Sequence, residues 1–207
     1  MKAHTKESQS TMTAAKALQF LKEGNGRFMG NLKANRNLLE QVNDTSEGQF
    51  PFAVILSCID SRTSAELIFD QGLGDIFSVR IAGNFINEDI LGSMEFACKV
   101  AGSKLVMVLG HSACGAIKGA CDDVQLGNLT ALISKIKPAV AAVKEPKENR
   151  NSSNTEFVER VADMNVKIAI EQIKERSSIL SEMYNNKEID IVGGMYNVHT
   201  GEVVFDH

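Results

Sequence analysis

Two apolar runs built alike constrain what this chain can fold into. The first covers residues 52–57 and ends in Cys58-Ile59-Asp60-Ser61-Arg62. The second covers residues 105–109 and ends in Gly110-His111-Ser112-Ala113-Cys114-Gly115. Nearly unbroken aliphatic runs of this length are expected of strands buried on both faces, as in a parallel sheet covered by helices. In such a sheet, functional groups gather where strands end at their carboxyl side. Each end here carries residues able to bind a soft metal: Cys58 on one, His111 and Cys114 on the other. Side by side, the two ends would form a His-Cys-Cys set, which suits zinc with a fourth position left for water.

The surrounding pattern agrees with an α/β chain, a central and mainly parallel β-sheet flanked by helices. Apolar residues recur at helical spacing over residues 13–29, with Gly24 and Gly26 weakening the second half. A short helix is expected over 36–42. A Thr63/Glu66 capping box predicts a helix over 65–69. Further helices are expected over 89–100, 113–121, 129–143 (interrupted near Pro138) and, as one long element, 157–184. Strands are expected over 76–81 and 189–195, with a hairpin over 198–205 that turns at Thr200-Gly201. Residues 1–12 are polar and read as a flexible arm. The 207 residues fit a single domain, 1–207, and 43% hydrophobic content supplies its core.

A net charge of −4 without a long Lys/Arg run argues against a nucleic-acid or polybasic membrane partner. No run is long and apolar enough for a membrane span. No secretory h-region is seen, so a cytoplasmic location is expected. The four cysteines are too few for a disulfide framework in a chain this long.

Taken alone, Cys58 reads as a small core hydrophobe, and Asp60 with Arg62 as an ion pair shaping a turn. Their grouping at one strand end favours chemistry. His111-x-x-Cys114 reads as the start of a helix, with both side chains on one face. The helix terminus would favour the Cys114 thiolate. Two thiolates and a neutral imidazole would neutralise a zinc ion, which can lower the pKa of a bound water from about 16 to about 7. Asp60 is placed to accept a hydrogen bond from the resulting hydroxide. Arg62 would hold Asp60 by a bidentate pair and keep it from becoming a fourth ligand.

Ser57-Cys-Ile-Asp-Ser-Arg62, Val79-Arg-Ile-Ala-Gly-Asn84 and Gly110-His-Ser-Ala-Cys-Gly115 together resemble the β-class carbonic anhydrases, over most of the length from about Ala14 to the Gly-Gly-Met-Tyr-Asn segment. The resemblance implies zinc, one Zn2+ per chain, on Cys58, His111 and Cys114, with Asp60 and Arg62 as the catalytic pair. It implies reversible hydration of carbon dioxide to bicarbonate and a proton. It also implies a homodimer or homotetramer with active sites at the subunit boundary, and N-terminal helices (13–42) packed on a neighbour.

By the same resemblance, the substrate pocket would be lined by Gln49, Phe77, Ala82, Phe96 and Gly115. Gln49 stands where the open-zinc, plant-type subtype carries Gln. The other subtype uses a Trp shortly before the first Cys for an inhibitory bicarbonate site; this chain has no Trp, and Ile55 occupies that place. Phe96 departs from plant-type members, which carry Tyr there. For Phe77 and Phe96, plain core packing is an equal alternative. Cys98 and Cys121 read as core, and His4, His199 and His207 as exposed bystanders. Two other functions stay open: a carbon disulfide or carbonyl sulfide hydrolase on this scaffold, and a non-catalytic zinc assembly protein.

Overall fold

A computed structural model describes residues 2–205. Three helices lead the chain: α1 (Lys6–Ser10), α2 (Ala14–Met29) and α3 (Leu38–Asp44). Then come β1 (Ala53–Ser57), α4 (Ala65–Ile68), β2 (Ile76–Arg80) and α5 (Glu88–Glu95), which runs on into a π-helical turn, Phe96–Val100. The second half contains β3 (Leu105–His111), α6 (Gly115–Cys121), α7 (Gly127–Ser134), α8 (Lys137–Ala142), α9 (Thr155–Arg176), α10 (Ser178–Asn185), β4 (Asp190–Tyr196) and β5 (Val203–Phe205).

The sheet order is β2-β1-β3-β4-β5. All pairings are parallel except β4 with β5. Side chains alternate between two apolar layers, as the two-residue strand period requires. Val54, Leu56, Val106 and Val108 face α5, α9 and α10. Ala53, Ile55, Leu105 and Met107 face α2 and α4. A third cluster, drawn from α6 to α9, covers the carboxyl end of the sheet and includes Cys58 and Cys114. The register pairs Ser57 with Leu109, so the chain leaves β1 at Cys58 beside the last two residues of β3, Gly110 and His111.

Several local expectations change. The expected arm contains α1, capped by Thr5 and Ser8. Gln9 anchors it by donating to the carbonyls of Pro51 and Ala101 at 2.9 and 2.8 Å. His4 is half-buried against Phe52 and Phe20, at ring centroid separations of 5.3 and 5.8 Å. His199 is exposed, and His207 lies outside the described residues. Gly24 does not weaken α2: it lets the helix lie against the Phe69 backbone, where a Cβ would come within 1.8 Å of the Phe69 carbonyl oxygen. Thr63 does not cap α4. Its hydroxyl donates to the Cys58 and Asp60 carbonyls, at 3.0 and 2.9 Å, and so braces the turn after β1. The long helix expected over 157–184 breaks at Ser177, whose hydroxyl accepts from the Leu180 amide and donates to Glu95. Cys98 is buried as expected, while Cys121 is only half-buried. No helix among the described residues is long and apolar enough to cross a membrane.

Candidate metal centre

Cys58, His111 and Cys114 are all buried, and their ligand atoms lie within 4.8 Å of one another. Two adjacent parallel strands deliver them. Cys58 is the first residue past β1, and His111 is the last residue of β3. The imidazole is therefore held by the sheet, where the His-x-x-Cys spacing predicts a helix face. Cys114 is the residue before α6, with φ −64°. Between them the chain reverses through Ala113 at φ 55°.

The imidazole orientation follows from one hydrogen bond. Nδ1 of His111 lies 2.9 Å from the Ser112 carbonyl oxygen, which can only accept, so Nδ1 carries the proton. Nε2 then carries the lone pair. It is buried and has no hydrogen-bond partner, a costly arrangement unless a cation takes that lone pair. As a bare pair, the two thiols share one proton. A hydrogen bond from Cys114, opposed by burial and aided by the Gly83 amide, draws the Cys58 thiol well below its ordinary range. The Cys58 thiolate and burial push Cys114 up, against the pull of the Ile117 and Ala116 amides at the start of α6. A cation among the three ligand atoms would replace that proton and leave both sulfurs as thiolates. The donor set fits zinc on each count.

Asp60 and Arg62 form the expected fork. Arg62 Nε donates to Oδ1 at 2.9 Å and its terminal nitrogen to Oδ2 at 2.8 Å. The Arg62 amide adds a bond to Oδ1 at 3.0 Å. The Arg62 side chain, against some burial cost, holds the Asp60 carboxyl well below the usual carboxylate range.

Four supporting residues were not assigned roles from the sequence. Arg80 donates to the carbonyls of Cys58 and Asp60, at 3.0 and 2.7 Å. The Gly83 amide donates to Cys58 Sγ at 3.4 Å, and Asn165 of α9 holds the Gly83 carbonyl at 2.8 Å. Glu159 of α9 accepts from the Ala113 amide at 2.8 Å. Arg80 was visible in its motif. Asn165 and Glu159 reach the site through tertiary packing, and nothing local in the sequence marks them.

The expected pocket residues separate into three places. Ala82 adjoins Gly83, and Gly115 follows Cys114 with open space where a Cβ would stand. Phe77 and Phe96 meet edge to face, with centroids 6.1 Å apart, in a groove along the β2 edge; Phe96 is 51% exposed there. Neither ring closes over the metal ligands of its own chain. Gln49 is exposed in the loop that leads into β1. The whole of β1 separates it from Cys58, about 16 Å at the usual strand rise. Within one chain, Gln49 does not reach this site, because it precedes the amino end of β1 and the ligands stand at the carboxyl end.

A mainly parallel sheet with a buried Cys-His-Cys cluster at its carboxyl edge, beside an Asp-Arg fork, defines a metal-dependent α/β enzyme. The carbonic anhydrase family model matches residues 53–203. Carbonic anhydrase 2 of Mycobacterium tuberculosis (strain CDC 1551 / Oshkosh) is 37% identical over 198 residues, covering 92% of each chain. Among solved structures, the β-carbonic anhydrase CafA of Aspergillus fumigatus matches with a TM-score of 0.73 at 24% identity, over 93% of this chain and 89% of that one. A structure of two tetrameric β-carbonic anhydrases from Sordaria macrospora gives a TM-score of 0.68 at 20% identity, over 91% and 95%. The chain belongs to the β-carbonic anhydrase family. Zinc is the metal of such a centre, and Cys58, His111 and Cys114 are the residues present to hold it.

Proposed function

We propose that the chain catalyses the reversible hydration of carbon dioxide to bicarbonate and a proton, with Asp60 and Arg62 as its catalytic pair. The observation that carries this reading is the lone pair of His111 Nε2, buried beside two thiols and next to a carboxylate that Arg62 holds ionised. Zinc, when bound, supplies an acidified water near neutral pH. Asp60 accepts a hydrogen bond from the attacking oxygen and so aims it at the substrate carbon. Arg62 occupies both carboxylate oxygens and keeps Asp60 off the metal. We therefore place the chain in the subtype with an open fourth metal position, in keeping with Ile55 at the Trp place.

A neighbouring copy completes the pocket in this reading. It would bring Gln49 and the Phe77–Phe96 groove to the other chain's ligands. Three features support it. β2 is a sheet edge. The groove beside it is open. Leu32, Leu38, Leu39 and Val42 stand exposed in and beside α3, as expected of N-terminal helices that pack on a partner. The Sordaria relatives are described as tetrameric, and we take a homodimer or homotetramer as the working state. We take a cytoplasmic location as the working one, since two of the four cysteines serve as metal ligands and not in a disulfide framework.

Stopped-flow carbon dioxide hydration on metal-quantified protein near pH 8 tests the activity. One zinc per chain with rapid, chelator-sensitive hydration is expected. One zinc per chain with no hydration would overturn the assignment, and carbon disulfide and carbonyl sulfide would be assayed next.

A further inference from the structure

His111, the last residue of β3, and the three residues after it carry two of the three metal ligands, and their shape is set from several sides. Ser112 is tied to the end of the sheet: its amide donates to the Tyr196 carbonyl at 2.9 Å, and its hydroxyl accepts from the Val198 amide at 3.0 Å. Cys114 is fixed by α6. Ala113 lies between them in the left-handed region, φ 55°. A residue with a Cβ adopts that conformation only when its surroundings impose it. The Ala113 amide donates to Oε1 of Glu159 at 2.8 Å.

Glu159 is in place because α9 lies over the carboxyl end of the sheet. Its neighbours Phe157, Val158, Val161 and Ala162 are buried in the cluster that holds Cys58, Cys114 and Ile117. The carboxylate thus arrives on a packed helix from a distant part of the chain. Without it, Ala113 would relax toward negative φ, and Cys114 would move relative to His111.

We infer that Glu159 is a positioning residue for the metal centre: it holds Ala113 in the left-handed conformation that brings His111 and Cys114 to one metal. The assignment rests on the metal site and not on the reaction. It is tested by zinc affinity, measured by competition with a chromophoric chelator at pH 8 and read beside the melting of the metal-free proteins. Glu159→Ala should weaken zinc binding about 10- to 100-fold, the usual loss when an outer partner of a metal site is removed. Glu159→Gln keeps an oxygen acceptor and should stay near wild type. Adding Ala113→Gly to Glu159→Ala should recover most of the loss, because glycine adopts positive φ at little cost. Unchanged affinity in Glu159→Ala would overturn the inference. So would an equal loss in Glu159→Gln, which would assign the effect to charge, or a loss that Ala113→Gly leaves untouched. A wild-type chain that takes up no zinc would refute the metal reading and this assignment together.

Discussion

Asp60 is engaged on both oxygens by the Arg62 guanidinium, and the Arg62 amide adds a third donor. Such a carboxylate stays ionised and stays in place. Asn at position 60 preserves the outline of the side chain but removes its charge. Asp60→Asn should therefore keep one zinc per chain while lowering the hydration rate by about 100-fold or more, the scale of a lost proton-handling group. Metal analysis and stopped-flow rates on the same preparation check both halves. Unchanged turnover would remove Asp60 from the mechanism. At this scale the sequence is highly legible, because Cys58, Asp60 and Arg62 sit within five residues and a strand end is easy to recognise. The His111 geometry was less so. Spacing alone placed it on a helix, whereas the β3 ladder extends to His111 itself, and strand length depends on the pairing partner.

Elements are held to one another by a few buried polar ties. Asp70, in the turn after α4, binds Arg27 of α2 and Arg36 just before α3, each at 2.6 Å. The side chains of Asp70 and Arg36 are each 6% exposed. Burial pushes the Asp70 carboxyl up, but Arg27, the Ala34 amide and Arg36 outweigh it and hold the group below its ordinary value. A carboxyl depressed in the folded state stabilises the fold above its unfolded pKa of about 3.9 and loses that contribution as pH falls through the lower folded value. Asp70→Ala should destabilise the protein at pH 7 by about 3 kcal/mol, as expected when one partner of a buried ion pair is removed. Urea midpoints of the variant and wild type should converge below pH 4. A constant gap down to pH 2.5 would contradict the ion-pair account. The sequence gives little warning of this tie: Arg27, Arg36 and Asp70 are far apart, and only the docking of α2 on α4 through Gly24 brings them together. The break at Ser177 was hidden for a similar reason. The apolar period runs on through it, while Glu95 draws its hydroxyl away.

The whole molecule raises the question of what one chain lacks. Gln49 and the metal ligands lie at opposite ends of the strands, a separation invisible to motif comparison. If a second copy supplies Gln49, two defective variants should repair each other. Asp60→Asn and Gln49→Ala, each impaired alone, would be unfolded together and refolded as a mixture. Half the sites in each mixed dimer would then be intact, and activity should recover toward about a quarter of wild type by random pairing. Sedimentation would confirm that the species are oligomeric. No recovery from mixed oligomers would mean that each chain works from its own residues.

The two strands that present the ligands, β1 and β3, are neighbours in space but far apart in sequence, with the α4–β2–α5 crossover between them. Parallel pairing of that kind is slow to form, because a long loop must close before any contact repays it. The cluster cannot exist before this ladder does. Metal capture should therefore come after the rate-limiting step of folding. Added zinc should leave the refolding rate unchanged and slow unfolding, so its stabilisation would appear almost wholly as a longer native lifetime. A zinc-accelerated refolding limb would instead show that the ligands meet early and that the ion helps to nucleate the sheet.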